Sequence, residues 1–469
     1  MKGGIKMKSK KLAYHIILIL FCIVLVSVLM TGCDGDKPIV LDFSASPSTI
    51  NQGESSTLAW DVSKAGTVTI TPGVGTVASS GSTSVSPGVT TTYTLTATNS
   101  SGSNTASFTV NVGPALLPVH NLTQDTYYNT IQAALNDADS DNTIEVTDGT
   151  YDETINFPSG KKVILQSVNG PSSTTIRGDD NSYTVNLEGS LSGTTIEGFT
   201  ITHAVDLSGR GIVNDWDSKL NVYNCIISGN SASSGGGIYN AGTLKITDAS
   251  TISGNNANNG GGICNAGTLT ITDASTISGN NAVNGGGICN YVDCTLTITG
   301  ASTISGNTAA YNGGGIFNDG ILTITDASTV SGNTAGYGGG IYTGGGNSTI
   351  QDNTIKDNEA DFGGGICVQK GSQIISGNTI TGNTAAQYGG GICVYGNSPI
   401  IKGNDIMGNT AGSGGGIFVD GGCLPTIGGT SPADTGNFNT TCGNSPDQIA
   451  PDNYPNNYIT TFCMIELNF

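Results

Sequence analysis

From residue 209 onward the apolar residues recur in a fixed frame. The tetrapeptide GGGI ends at Ile238, Ile263, Ile288, Ile316, Ile341, Ile366, Ile392 and Ile417, after a weaker GRGI ending at Ile212, so successive copies lie 25 to 28 residues apart. Within a unit such as GGGIYNAGTLKITDASTISGNNANN, apolar and polar residues alternate in three short runs centred on Ile238, on Leu244 with Ile246, and on Ile252. Period-two alternation predicts strands. A repeat of this length predicts a solenoid, in which a unit buries its apolar face only against its neighbours. Three strands per unit fit a parallel β-helix better than a leucine-rich horseshoe, which needs an asparagine-bearing LxxLxL frame. At about 4.8 Å between paired strands, the intervals after Ile212 predict a rod of roughly 40 Å.

Two other patterns precede this frame. Between residues 39 and 113, the segments STLAWDV, GTVTITP, TTTYTLTATN and ASFTVNV alternate with Gly, Ser, Pro and Asn clusters, which predicts a small β-sandwich. After the linker GPALLPVHN, the segment YNTIQAALNDAD places Ile131, Ala134 and Leu135 on one helical stripe and predicts a short capping helix for the first coil. At the amino terminus, five lysines precede an apolar run from Leu12 to Met30 that ends at Thr31-Gly32-Cys33. A basic region, an apolar core and small residues before a cysteine predict a secretory leader. The alternative is an uncleaved membrane helix, since the run nearly reaches spanning length.

MTGC resembles the lipobox of bacterial lipoproteins, which implies cleavage before Cys33, lipidation of that cysteine and an extracytoplasmic, membrane-anchored chain. The pattern SASPSTINQGESSTLAWDV with TTYTLTATNSSG resembles bacterial Ig-like domains, with Trp60 as core tryptophan and Tyr93 as corner tyrosine. The segments NTIEVTDGTYDETINF and KKVILQSVNGPSSTTIRG resemble the opening coils of right-handed parallel β-helix proteins. The GGGI units resemble the repeats of chlamydial polymorphic outer membrane proteins, GGGI standing for their GGA[ILV]. That resemblance implies a surface-exposed adhesion or display role. The expected organisation is therefore a leader (1–32), a tether (33–38), an Ig-like sandwich (39–113), a linker (114–120) and a right-handed β-helix with a carboxy-terminal cap (121–469), an all-β fold apart from the capping helix.

Composition sharpens this picture. The 71 glycines among 469 residues are about twice the usual share, but no G-X-Y period accompanies them, so they are metered by the coil and collagen is excluded. Lys+Arg 16 against Asp+Glu 35 gives a net charge of -19. Nucleic acid is therefore not an expected partner, because phosphate binding needs a basic footprint. Five of the basic residues lie in the leader, so the chain beyond it carries 11 basic and 35 acidic residues, a formal charge of -24.

Candidate functional positions follow from the frame. Asn230, Asn255, Asn280, Asn307, Asn333, Asn358, Asn383 and Asn409 recur at one turn, where Asn tolerates left-handed geometry and a structural ladder of side-chain amides is expected. In the later units Ile366, Ile392 and Ile417 pair with Val368, Val394 and Val419 as inward residues, so the residue between them should face out. Through the units that position reads Tyr239, Cys264, Cys289, Phe317, Tyr342, Cys367, Cys393 and Phe418. An exposed ladder of this kind would bind a carbohydrate or a surface protein through Tyr239, Phe317, Tyr342 and Phe418; a covering loop, or a register shifted by one, would make it structural. Nine cysteines remain after Cys22 and Cys33, and Cys423, Cys442 and Cys463 sit where a disulfide could staple the end.

The rival reading is an enzyme acting on polysaccharide, as pectate lyases and related β-helix families do. Such chemistry needs grouped carboxylates, or an arginine base beside calcium carboxylates. Arg210 with Asp215 and Asp217 is the best catalytic grouping the sequence offers. Asp248, Asp273 and Asp326, repeating in TDAS, could hold calcium but read as turn residues. No cofactor is expected and no zinc-type spacing occurs.

Overall fold

The computed structural model describes residues 37–113, 117–179, 182–189, 193–204, 208–396, 398–420, 423–428, 439–445, 449–450 and 459–460. The leader, Cys33 and Cys463 lie outside the described residues. Contacts divide the chain into two units, one ending at Leu116 and one beginning at Leu117.

In the first unit, strands Ile39–Ser46, Ser56–Ser63 and Ser80–Val85 form one antiparallel sheet. Strands Thr49–Asn51, Gly102–Gly113, Thr91–Asn99, Thr67–Thr71 and Gly75–Val77 form a second. Alternate residues of both sheets meet in one apolar cluster holding Leu58, Trp60, Ile70, Tyr93 and Leu95. Trp60 is buried and its Nε1–H donates to the Ala78 carbonyl at 2.9 Å, which satisfies its one polar group.

The second unit is a right-handed β-solenoid of about 11 turns. Its strands stack into three long sheets of 14, 13 and 12 strands, parallel except where the two amino-terminal strands join the first of them antiparallel. The amino end is closed by the antiparallel strands Val119–Asn121 and Thr126–Tyr128 and by helix α1, Ile131–Asp137. Ile131, Ala134 and Leu135 face inward from α1. Its first amides are satisfied by Thr130 Oγ1, which accepts from Ala133 N–H, and by the Glu153 carboxylate, which accepts from Ile131 and Gln132 N–H at 2.9 and 3.0 Å.

In the repeat, each coil contributes a strand such as Ile263–Asn265, then Thr268–Ile271, then Thr276–Ser278, and every pair stacks in register on its copy one coil away. Ile263, Leu269, Ile271 and Ile277 are fully buried, and their copies run through one continuous core. Each such side chain contributes roughly 1.5–3 kcal/mol of burial free energy. The structure adds a fourth strand that the alternation does not reveal. Ser231–Ser234, Asn256–Asn259, Asn281–Asn284, Thr308–Asn312, Thr334–Tyr337, Glu359–Phe362 and Thr384–Tyr388 form a seven-stranded parallel sheet just ahead of each GGGI. Its inward residue is one alanine per coil, from Ala257 to Ala385, too small to register as an apolar run.

The glycines of GGGI carry this fourth strand into the next. Gly313 sits at φ +63°, which an L side chain rarely adopts, and a Cβ on Gly315 would lie 2.6 Å from the Gly340 carbonyl oxygen of the next coil. With no side chains between them, the backbones stack directly: Gly313, Gly314 and Gly315 N–H donate to the carbonyls of Tyr337, Gly338 and Gly339 at 2.8, 3.2 and 3.1 Å.

Candidate functional site

The turn asparagines form a continuous internal ladder. From Asn230 to Asn409 each Nδ2 donates to Oδ1 of the next rung at 2.9–3.0 Å. That same Oδ1 also accepts the preceding rung's backbone N–H at 2.8–3.1 Å. Asn444 closes the series, and Oδ1 of Asn230, the first rung, has no hydrogen-bond partner. The left-handed position is not the asparagine but the residue before it, as at Gly229, Gly254 and Asp357, with φ +70°, +63° and +55°. Two further ladders escaped the sequence reading. Asn214, Asn240, Asn265, Asn290 and Asn318 are joined at 2.6–2.7 Å two residues after each GGGI isoleucine. Asn353, Asn378, Asn404 and Asn439 form the third. The second was visible as the recurring IYN, ICN and IFN strings.

The expected exposed stripe is corrected. Its residues do point away from the main core, yet Cys264, Cys289, Tyr342, Cys367 and Cys393 are buried and Tyr239, Phe317 and Phe418 are half-buried. Tyr342, Cys367 and Cys393 form a separate apolar cluster with Phe317, Tyr395 and Phe418. The cause is the fourth strand: the chain doubles back at the glycines, and its rings lie over this second, smaller core. Phe362 meets Tyr395 at 5.9 Å between ring centroids, and Tyr388 stacks on Phe418 at 4.4 Å. Burial, with the Cys367 thiol and Asp319 carboxylate nearby, pushes the Tyr342 phenol up to about 12, and its hydroxyl donates to Gln369 Oε1.

What reaches solvent instead is an aromatic band on the fourth sheet. Tyr337 pairs with Phe362 and Phe362 with Tyr388 on successive coils. Tyr337 and Phe362 stack at 4.7 Å between ring centroids, and Phe362 meets Tyr388 at 5.8 Å in a tilted arrangement. Tyr337 is 38% and Tyr388 37% exposed, and Tyr311 at 62% lies on the preceding strand of the same sheet. These residues carry no period-two signal because their strand neighbours are polar or alanine. The recurrence of an aromatic four residues before Ile341, Ile366 and Ile392, at Tyr337, Phe362 and Tyr388, was the visible clue.

The catalytic candidates are not assembled into an acid/base set. Arg210 Nε donates to the Ser234 carbonyl at 2.9 Å and its guanidinium lies 5.2 Å from the Tyr239 ring centroid. Asp215 accepts from Trp216 N–H, and Asp217 is an exposed turn residue at φ +63°. Asp248, Asp273 and Asp326 also occupy turns, each followed by a second left-handed residue, at Ala249, Ala274 and Ala327. Among the described residues no group of three or more His, Cys, Asp or Glu is placed to hold a metal ion. Cys442 is disulfide-bonded, whereas Cys423 is a free buried thiol.

Residues 339–459 match the family model of a right handed beta helix region, and residues 301–319, which include SGNTAAYNGGGIFN, match the Chlamydia polymorphic membrane protein repeat. The chain is thus similar to a class of β-helix repeats carried by bacterial outer-membrane and surface proteins. No curated protein and no solved structure matches it.

Proposed function

We propose that this chain is a cell-surface binding protein of the adhesin type, displayed outside the cytoplasm, with the leader and Cys33 as its lipid anchor and the Ig-like sandwich as spacer between anchor and rod. The matched membrane-protein repeat supports surface exposure. The aromatic band Tyr337–Phe362–Tyr388 carries the binding assignment. Tyrosines pre-ordered on a rigid sheet lose little entropy on contact and are favoured at protein interface centres. Tyr337 stacks on Phe362 and Tyr388 on Phe418, so one face of each tyrosine ring is covered, and ring edges and hydroxyl groups are left for the partner. That contact suits a protein surface better than a sugar ring, which stacks on an open aromatic face. The excess of negative charge further disfavours uronans and other polyanions as ligands or substrates.

The test is binding of fluorescently labelled protein to a panel of cultured epithelial and bacterial cells, before and after protease shaving or glycosidase treatment. The expected result is saturable binding to at least one cell type that protease removes and glycosidase spares. Absence of saturable binding, or loss on glycosidase treatment alone, would overturn the protein-partner reading.

A further inference from the structure

The first unit holds a cavity that a spacer does not require. Its volume is about 370 Å³, within the range of ligand pockets. The lining comes from the turn ahead of Gly75–Val77, through Pro72 and Val74, from the end of Ser80–Val85, through Thr83, Val85 and Pro87, and from Tyr93. None of the lining residues is charged. Tyr93 is only 5% exposed, and among the described residues its hydroxyl has no hydrogen-bond partner. Burial alone pushes its phenol up, with no hydrogen bond contributing. The corner tyrosine of an Ig-like sandwich bonds its hydroxyl to a nearby backbone group. Tyr93 departs from that pattern, and the cavity is where an acceptor for it can enter.

The strand that lines the cavity is also open along one side. Ser80–Val85 is the last strand of its sheet and pairs with Ser56–Ser63. Val62 N–H donates to Ser79 O at 2.8 Å, so along this antiparallel ladder Gly81, Thr83 and Val85 direct their backbone groups to the neighbouring strand. Ser80, Ser82 and Ser84 then turn N–H and C=O to the open edge. Such edges are ordinarily defended by charge, proline or a bulge. The segment SGSTSV contains neither a charged residue nor proline, and its register with Ser56–Ser63 is unbroken. Thr83 and Val85 lie opposite the buried Leu58 and Ser56, so these positions face the interior of the sandwich. A strand added to this edge would send its own alternate side chains toward the cavity.

We propose that the sandwich binds an extended, uncharged peptide as a fourth strand along Ser80–Val85, with one side chain entering the cavity to accept a hydrogen bond from the Tyr93 hydroxyl. Backbone bonds to Ser80, Ser82 and Ser84 supply affinity, and the cavity selects the side chain. The uncharged lining favours a neutral acceptor, the amide oxygen of Asn or Gln, over a carboxylate, whose burial without a cation is costly. A free sugar could enter the cavity but would leave the strand edge unpaired, which favours the peptide. The site belongs to the first unit and does not depend on the aromatic band of the second.

The experiment selects from a random-peptide display library on the full chain in detergent. Excess soluble Ser82→Pro chain, its fold verified by circular dichroism, is present to remove peptides held elsewhere on the molecule. That substitution deletes an N–H that the neighbouring strand does not use, so it blocks the edge without unpairing the sheet. Enriched peptides should alternate with period two and share Asn or Gln at one position. In fluorescence anisotropy, Tyr93→Phe, which breaks no bond within the fold, should bind them about 10-fold more weakly than wild type. It should also melt as wild type does. No enrichment over the unselected library would overturn the proposal. So would equal binding by Tyr93→Phe, or displacement of the peptide by glucose, galactose or N-acetylglucosamine, which would make the ligand a sugar.

Discussion

Asparagine does structural work in this chain that no apolar residue could do. At the turn, one side-chain oxygen accepts both an amide hydrogen of the preceding rung and that rung's backbone N–H, while its own amide reaches the carbonyl of a core strand, as Asn333 does to Ile304 at 3.0 Å. Asn333→Ala would leave the Asn307 backbone N–H buried without its acceptor and take one donor from the Ile304 carbonyl, at about 1–3 kcal/mol for the orphaned donor. The expected loss is of that size, confined to coils near residues 303–337 and read by hydrogen exchange against the coil at 251–265; a uniform change below about 1 kcal/mol would contradict it. Tyr342 supplies the pH test. Its phenol is raised in the folded chain, so the folded state holds the proton longer than the unfolded one. The stability this represents is complete below pH 10 and is lost as pH rises from 10 through about 12. Tyr342→Phe should lose less stability across that window, and its absorbance titration should lack one late phenol. The asparagine ladder was legible as a repeated letter. Its left-handed partner was misplaced by one residue, because backbone φ is not written in side-chain identity.

At the scale of the coil, glycine acts in two distinct ways that substitution separates. Gly315→Ala would drive a Cβ to 2.6 Å from a carbonyl oxygen of the next coil. Gly279, by contrast, has φ +61° and open space around its missing Cβ. Gly279→Ala should therefore cost about 1–2 kcal/mol of left-handed strain. Gly315→Ala should cost more than twice that, because backbone hydrogen bonds must break to relieve the clash; denaturant unfolding compares the two, and equal costs would contradict the close-stacking account. Three of the four strands per coil were legible, since Ile238, Leu244, Ile246 and Ile252 each alternate with polar residues. The fourth was hidden because a strand whose one buried apolar residue is Ala257 or Ala282 needs no alternating apolar face. That omission also misplaced the candidate site. Without a covering strand, Tyr342 and Cys367 read as exposed; with it they are interior, and Tyr337 and Tyr388 take the surface.

For the whole molecule, the solenoid converts a recurring residue into a continuous strip, so a rung gained or lost changes a surface in steps of one coil. The aromatic band occupies only the later coils, while the corresponding positions of earlier coils are Asn259, Asn284 and Asn312. Under the proposed binding role, recognition falls to the later coils of the rod and the earlier coils extend it. The most direct measurement compares cell binding by wild type, by Tyr337→Ser/Tyr388→Ser, and by Thr270→Ala/Thr297→Ala on the aliphatic sheet that carries no aromatic band. The account predicts at least a 10-fold loss of affinity for the tyrosine variant and wild-type affinity for the threonine variant. Undiminished binding by a folded Tyr337→Ser/Tyr388→Ser protein would contradict it.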